Sequence, residues 1–242
     1  MKNYKLLIQY DGTQYAGWQI QENSVTVQQK ITNAVEILLK GKINLIGSGR
    51  TDTGVHAFGQ VANFRTEKNL DLYKFKHSLN ALLPYDISIS EINEVPEEFH
   101  ARFDAKKRSY LYFITKNKSP FFNNYSFLYR EKTNIDKLNR LSSVILGEND
   151  FTSFSRKKSE VNNRICTIYK AHWKETKGFT IFYIEANRFL HGMVRTVVGT
   201  ILKTAKLNLN EDYIEDILRQ KNRETAGEAI PAKGLFLFKV KY

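Results

Sequence analysis

Two helical stripes lie within the first hundred residues, each bracketed by strand-like runs, and that order limits the fold more than any other feature. In "TVQQKITNAVEILLKG" (26–41), Val27, Ile31, Ala34, Val35 and Leu38 recur at the spacing of one helix face. Thr26 and Gln29 have capping-box spacing at its start, and Gly41 suits its exit. "DLYKFKHSLNALLP" (71–84) gives a second helix through Leu72, Phe75, Leu79 and Leu82, closed before Pro84. Strands are read at "YKLLIQY", "INLIGS", "VHAFGQVANFR" and "DISISEINEV". The order is therefore β-α-β-β-α-β, the split βαβ pattern of ferredoxin-like folds.

The rest of the chain repeats this loosely. "RSYLYFITK" alternates as a strand, and "NIDKLNRLSSVILG" is helical through Ile135, Leu138, Leu141 and Ile145. "NRICTIYKAHWK" and "FTIFYIEANR" read as paired strands, "FLHGMVRTVVGTILKTA" and "YIEDILRQK" as helices, and "GLFLFKVKY" as a closing strand. The expected class is α+β: two ferredoxin-like (RRM-like) α/β sandwich halves, 1–105 and 106–242, whose mostly antiparallel sheets flank a central active-site cleft. No low-complexity linker marks the boundary, so the halves are expected to pack together.

Charge narrows the partner. Lysine plus arginine number 37 against 25 acids, a formal charge of +12, which points to a polyanion, nucleic acid before acidic membrane. With 42% hydrophobic and 26% charged residues, the chain is not of the disordered class. Cys166 is the single cysteine, which excludes an intramolecular disulfide and the usual multi-cysteine zinc sites; it reads as a small buried apolar residue. No apolar run approaches the roughly 20 residues that span a bilayer. The N-terminal apolar run stops at Asp11, too short for a signal peptide, so the expected location is cytoplasmic, away from membranes.

One loop concentrates chemistry. "GSGRTDTGVHA" (47–57) holds three glycines, Arg50, a lone Asp52 and His56. It has a G-x-G but not the P-loop pattern, and a strand rather than a helix follows, so a nucleotide-binding loop fits poorly. The glycines allow tight turns and close approach of a ligand. Asp52 reads either as a turn residue capping backbone N–H groups and paired to Arg50, or as a reactive carboxylate held ionised among cations. His56 reads as a loop-stabilising residue.

Five segments together resemble the TruA family of tRNA pseudouridine synthases: "YDGTQYAGWQIQ" (10–21), "GRTDTGVHA" (49–57), "FHARFDAKKRSYLY" (99–112), "FLHGMVRTVVG" (189–199) and "IPAKGLFL" (230–237). Thr53 stands where the family often has Ala or Ser, and Gly192 where a larger residue is common. If Gly192 lies inside a helix, it weakens that helix by about 1 kcal/mol relative to Ala.

The resemblance implies an isomerase that breaks uracil N1–C1′, turns the base and rejoins it through C5, with no cofactor or metal. It implies that Asp52 is catalytic and that Arg195 pairs with it. By the same resemblance, Tyr110 is expected to stack on the target base, Leu235 to wall the pocket, and Arg50 to fill the space left by a flipped-out uridine. It further implies uridines 38, 39 and 40 of the anticodon arm as targets, and a homodimer with each tRNA spanning both subunits. On their own, Tyr110 and Leu235 read as core and Arg195 as a solvated helix residue. The basic clusters at 108–118 and 155–164 are candidates for phosphate contacts. A related synthase with another RNA target and a non-catalytic RNA-binding module are the alternatives. A zinc deaminase lacks its cysteines here, and a methyltransferase its glycine-rich strand-to-helix loop.

Overall fold

The computed structural model describes residues 1–156 and 163–242. Two compact units emerge: residues 1–106 with 236–242, and residues 107–235. Both are mixed α+β with largely antiparallel sheets.

In the first unit, β1 (Lys2–Tyr10) lies between β4 (Ile87–Val95) and β3 (His56–Thr66), antiparallel to both. Short β2 (Ile46–Gly47) pairs antiparallel with β3. The closing strand β10 (Leu235–Lys241) runs parallel to β3, Phe236 opposite His56 and Leu237 opposite Ala57. Alternate residues Tyr4, Leu6 and Ile8 of β1 are fully buried, as period-2 patterning requires. Helices α1 (Val27–Leu39) and α2 (Leu72–Leu82) supply buried Val27, Ile31, Val35, Phe75 and Leu79.

Thr26 caps α1 by accepting from the Gln29 N–H at 3.4 Å. The left-handed exit residue is Lys40 (φ 50), one position before the expected Gly41, whose N–H instead returns to Glu36 O at 3.2 Å. That is the wrapped C-terminal geometry a glycine usually takes, reached here by an exposed lysine. The strand expected over 43–48 shrinks to two residues, because Gly47 lies under the Trp18 indole and Ser48 turns in to Gln60.

Sequence order leaves residues 236–242 in the second half, yet they join the first unit. Besides the β3 pairing, Lys106 N donates to Lys241 O at 2.9 Å and the Tyr242 hydroxyl to Ala101 O at 2.8 Å.

The second unit has an antiparallel sheet in the order β5 (Lys107–Thr115), β9 (Phe179–Ala186), β8 (Ile165–Thr176), β7 (Gly147–Asp150). Two-residue β6 (Phe127–Leu128) runs parallel to β5. Neither β6 nor β7 has a hydrophobic pattern long enough to read from sequence. Helices α3 (Ile135–Ser143), α4 (Met193–Lys206) and α5 (Glu211–Gln220) complete the unit. Trp173 is buried beside Phe182 and donates its indole N–H to Ser142 Oγ at 2.8 Å.

Gly192 sits outside α4, as its N-cap with φ +73, so the helix carries no interior-glycine penalty at this point. A side chain there would be strained, and glycine is the favourable residue.

No helix among the described residues is long and apolar enough to cross a membrane.

Candidate active site

The Asp52 loop joins β2 to β3 and is held by the segment that follows β1. Thr51 is gripped twice: its hydroxyl is 2.8 Å from the Tyr10 hydroxyl, and its carbonyl accepts from Trp18 N at 3.2 Å. Gly54 N donates to Tyr15 O at 3.4 Å, and Val55 N closes the turn on Asp52 O at 3.1 Å.

Two glycines make this approach possible. A Cβ on Gly12 would overlap the Val55 carbonyl, and one on Gly17, where φ is +91, would lie 2.5 Å from Thr51 O. Backbone meets backbone here, so no side chain can yield to make room.

At the loop's start, the buried Gln60 amide donates to Gly49 O at 2.9 Å while its oxygen lies 2.6 Å from Ser48 Oγ. At its end, Gly12 N donates to His56 Nδ1 at 3.0 Å, and the Asp11 carboxylate lies 3.0 Å from the same nitrogen. The two contacts need opposite forms of the ring, Nδ1 bare for Gly12 and protonated for Asp11. In either form the buried imidazole, stacked on Phe236 at 4.5 Å, ties residues 11–12 to the first residue of β3.

Two further bonds brace the clasp: the Tyr15 hydroxyl donates to Asp86 Oδ1 at 2.6 Å, and Asp11 N donates to Asp86 O at 2.9 Å. Burial and the Asp86 carboxylate push the Tyr15 hydroxyl well above the ordinary phenol range, so it stays a donor at every physiological pH.

Asp52 itself is half-buried, and Arg50 is exposed with Nε on Gln19 Oε1 at 3.2 Å. Thr53 is exposed, so its departure from the family's Ala or Ser touches no packed group.

The other expected site residues belong to the second unit. Tyr110 lies on β5 opposite Ile184, 8% exposed, with the Phe189 ring edge-on at 5.1 Å. Arg195, in the first turn of α4, donates Nε to Ile230 O at 2.6 Å. The next residue of that segment is held from β5: the Tyr112 hydroxyl donates to Pro231 O at 2.7 Å. Burial drives the Tyr112 hydroxyl far above its usual range against the opposing pull of the Arg195 charge.

A Cβ on Gly234 would fall 2.8 Å from the Tyr112 ring and from Phe113 O, which brings the chain down onto β5 just before buried Leu235. Gly199 does the same for α4, because a Cβ there would overlap Glu228 O. "RSYLY", "GMVR" and "IPAKGL" thus converge within one unit, and "YDGTQYAGWQ" and "GRTDTGVHA" within the other.

Tyr10, Gly12, Tyr15, Gly17 and Trp18 have positioning roles that the sequence reading left unassigned. The signal available was two glycines and three aromatics in one short stretch, which no hydrophobic period explains.

In the basic cluster at 108–118, Arg108 donates to Asn187 O at 3.1 Å and Lys116 pairs with Glu175 at 2.7 Å. Residues 157–162 of the second cluster lie outside the described residues; at its edge Arg164 donates to Ser155 Oγ at 2.9 Å. Cys166 is buried, and burial pushes its thiol up to about 11. Among the described residues no group of three or more His, Cys, Asp or Glu is placed to hold a metal ion.

The model of the tRNA pseudouridine synthase family matches residues 6–104 and 143–242. "tRNA pseudouridine synthase A" of Thermoanaerobacter sp. (strain X514) is 39% identical over 244 residues, with all of both chains covered. The proteins of that name from Clostridium acetobutylicum and Bacteroides fragilis are 41% and 40% identical over 244 residues, covering all of this chain and 100% and 97% of theirs. The matched stretches contain both the clasped loop and the α4 and 230–235 cluster, and the chain belongs to the tRNA pseudouridine synthase family.

Proposed function

We propose that the protein converts uridine to pseudouridine at positions 38, 39 and 40 of the tRNA anticodon stem-loop, with Asp52 as the catalytic carboxylate. The observation that carries this reading is the double grip on Thr51, which immobilises the backbone leading into Asp52. A reaction run by a single carboxylate depends on that group being pre-positioned, since an error of about 1 Å costs on the order of 100-fold in rate.

Arg195 is the basic partner of that carboxylate, whose charge is otherwise costly in a base pocket. Tyr110 offers its ring to the turning base, and Leu235 is a pocket wall. Exposed Arg50 takes the place of the flipped-out nucleotide. The enzyme acts as a cytoplasmic homodimer, each tRNA engaging both subunits, which sedimentation with and without tRNA checks.

The reading extends to architecture. Strand order β4-β1-β3-β2 with two helices supports a ferredoxin-like first half, and β5-β9-β8 with α3 and α4 supports a related second half.

Tritium release from C5-labelled uridine in unmodified tRNA tests the chemistry, because C5 loses its hydrogen only on becoming the glycosidic carbon. Wild type should release tritium and Asp52→Asn should bind tRNA without releasing it. Mapping pseudouridine in tRNA from a deletion strain tests the target. Loss confined to sites outside the anticodon arm assigns another RNA target.

A further inference from the structure

The turn between β5 and β6 places its aromatic residues against the usual rule. Residues 120–125, "PFFNNY", are all exposed, with Phe121 at 80%, Phe122 at 44% and Tyr125 at 39%. Three large rings, each exposed in part and Phe121 most of all, on one short turn mark an interaction surface.

The turn is nonetheless well anchored. Phe121 N donates to Ser119 Oγ at 3.3 Å, and Tyr125 N donates to Phe122 O at 3.1 Å. Buried Ser126 also donates to Phe122 O, at 2.8 Å. The Phe122 ring meets Phe179 edge-on at 4.9 Å, and Phe179 in turn meets Phe113 of β5. Phe122 is therefore a footing, and Phe121 is the ring held out to solvent.

Basic and amide groups surround it, the Lys116 charge being paired with Glu175. Lys116, Asn117 and Lys118 lead into the turn, all exposed, and the amides of Asn123 and Asn124 follow. Lys233 Nζ donates to Asn123 Oδ1 at 3.3 Å, which joins the turn to the segment whose neighbouring residues are held by Arg195 and Tyr112. A projecting ring for stacking, amides for base edges and ammonium groups for phosphates form the set that recognises an unpaired nucleotide. The +12 charge of the chain favours a polyanion here over a neutral or basic surface, and the exposed ring with its amides favours a nucleic acid among polyanions.

We propose that Phe121 is a stacking platform for an unpaired base of the substrate RNA other than the reacting uridine, with Lys118 and Lys233 contacting the adjoining phosphates. The proposal deepens the function given above and rests on it. It assigns the 116–126 turn to substrate recognition and leaves the chemical step to the residues already named.

The test uses the full-length chain and an unmodified tRNA transcript. Binding is followed by fluorescence anisotropy across a salt series for wild type, Phe121→Ala, Phe121→Trp and Lys118→Gln, each with its melting temperature and sedimentation behaviour. Phe121→Ala should weaken binding about ten-fold, within the range for loss of one stacked base, with an unchanged salt slope. Phe121→Trp should restore affinity, and Lys118→Gln should lower the slope by about one. Melting temperature should stay at the wild-type value for all three.

Wild-type affinity in Phe121→Ala overturns the proposal. A change in oligomeric state in that variant overturns it too, and assigns the patch to contact between copies. Tritium release by wild type is scored in parallel: its absence, with binding still dependent on Phe121, overturns the catalytic reading and leaves the stacking site standing.

Discussion

The loop around Asp52 and the cluster around Arg195 both gather residues from distant parts of the chain, but they are held by different means. In the first, backbone rests on backbone: Gly12 lies against Val55 O, Gly17 against Thr51 O, and Trp18 N and Gly54 N complete the clasp. In the second, the residues of interest project from a regular strand and helix. Two side chains, Arg195 and Tyr112, then draw residues 230 and 231 to them. A backbone clasp has no side chain that can give way and depends on the absence of Cβ atoms. A side-chain tether is adjustable, and its members also pack the core.

The sharpest test of this contrast is Asp52→Asn. Removing the carboxylate should lower single-turnover tritium release by at least about 10²–10⁴-fold. Transcript affinity should stay within about two-fold, since phosphate contacts dominate RNA binding. Equal loss of affinity and rate would make Asp52 a binding residue, and the clasp a structural one.

Next is Arg195→Ala, expected to cost about 10²–10³-fold in turnover by removing one preorganised positive group, with most RNA affinity retained. Near-normal single-turnover rates in that variant would remove Arg195 from the chemistry and leave it as the tether of Ile230.

Gly17→Ala probes the clasp itself. The strained φ should cost roughly 1–3 kcal/mol of stability. The displaced loop should lower turnover about 100-fold with little change in KM. If stability falls while turnover holds, the clasp does not position Asp52.

The smallest effects pair the two regions directly. Tyr10→Phe removes the 2.8 Å bond to Thr51, and Tyr112→Phe the 2.7 Å bond to Pro231. Each should cost about 1 kcal/mol. That corresponds to roughly 2–4 °C in melting temperature for a chain of this size. Only Tyr10→Phe should also slow turnover measurably. A matching loss in Tyr112→Phe would mean that the tethers need the same accuracy as the clasp.

Individual residues show how far each region was legible. Asp52 could be singled out because a lone acid between threonines, with glycines on both sides, satisfies no helix or strand period. Its conformational demands are written locally. Tyr110 and Leu235 satisfy a strand pattern completely, and nothing in their spacing separates a pocket wall from a core residue; only resemblance to the family raised them. Gly192 shows the reverse error. Placed inside a helix by apolar periodicity, it is the left-handed residue that begins α4, because Leu190 and His191 lie in a turn whose hydrogen bonds the pattern does not record.

What the sequence determined by itself is whatever depends on neighbours within a few residues. That includes the stripe that makes α1, the Thr26 cap, the alternation that buries one side of β1, and the glycine-lined turn that carries Asp52. Tertiary structure alone decided which distant segments meet. It laid residues 10–19 over the Asp52 loop, placed β10 parallel to β3, and turned a seven-residue tail from the second half of the sequence into part of the first unit. The physical reason is that a period specifies which side of an element is apolar, whereas its partner is chosen by backbone hydrogen bonds and close approaches formed only once the chain has closed on itself.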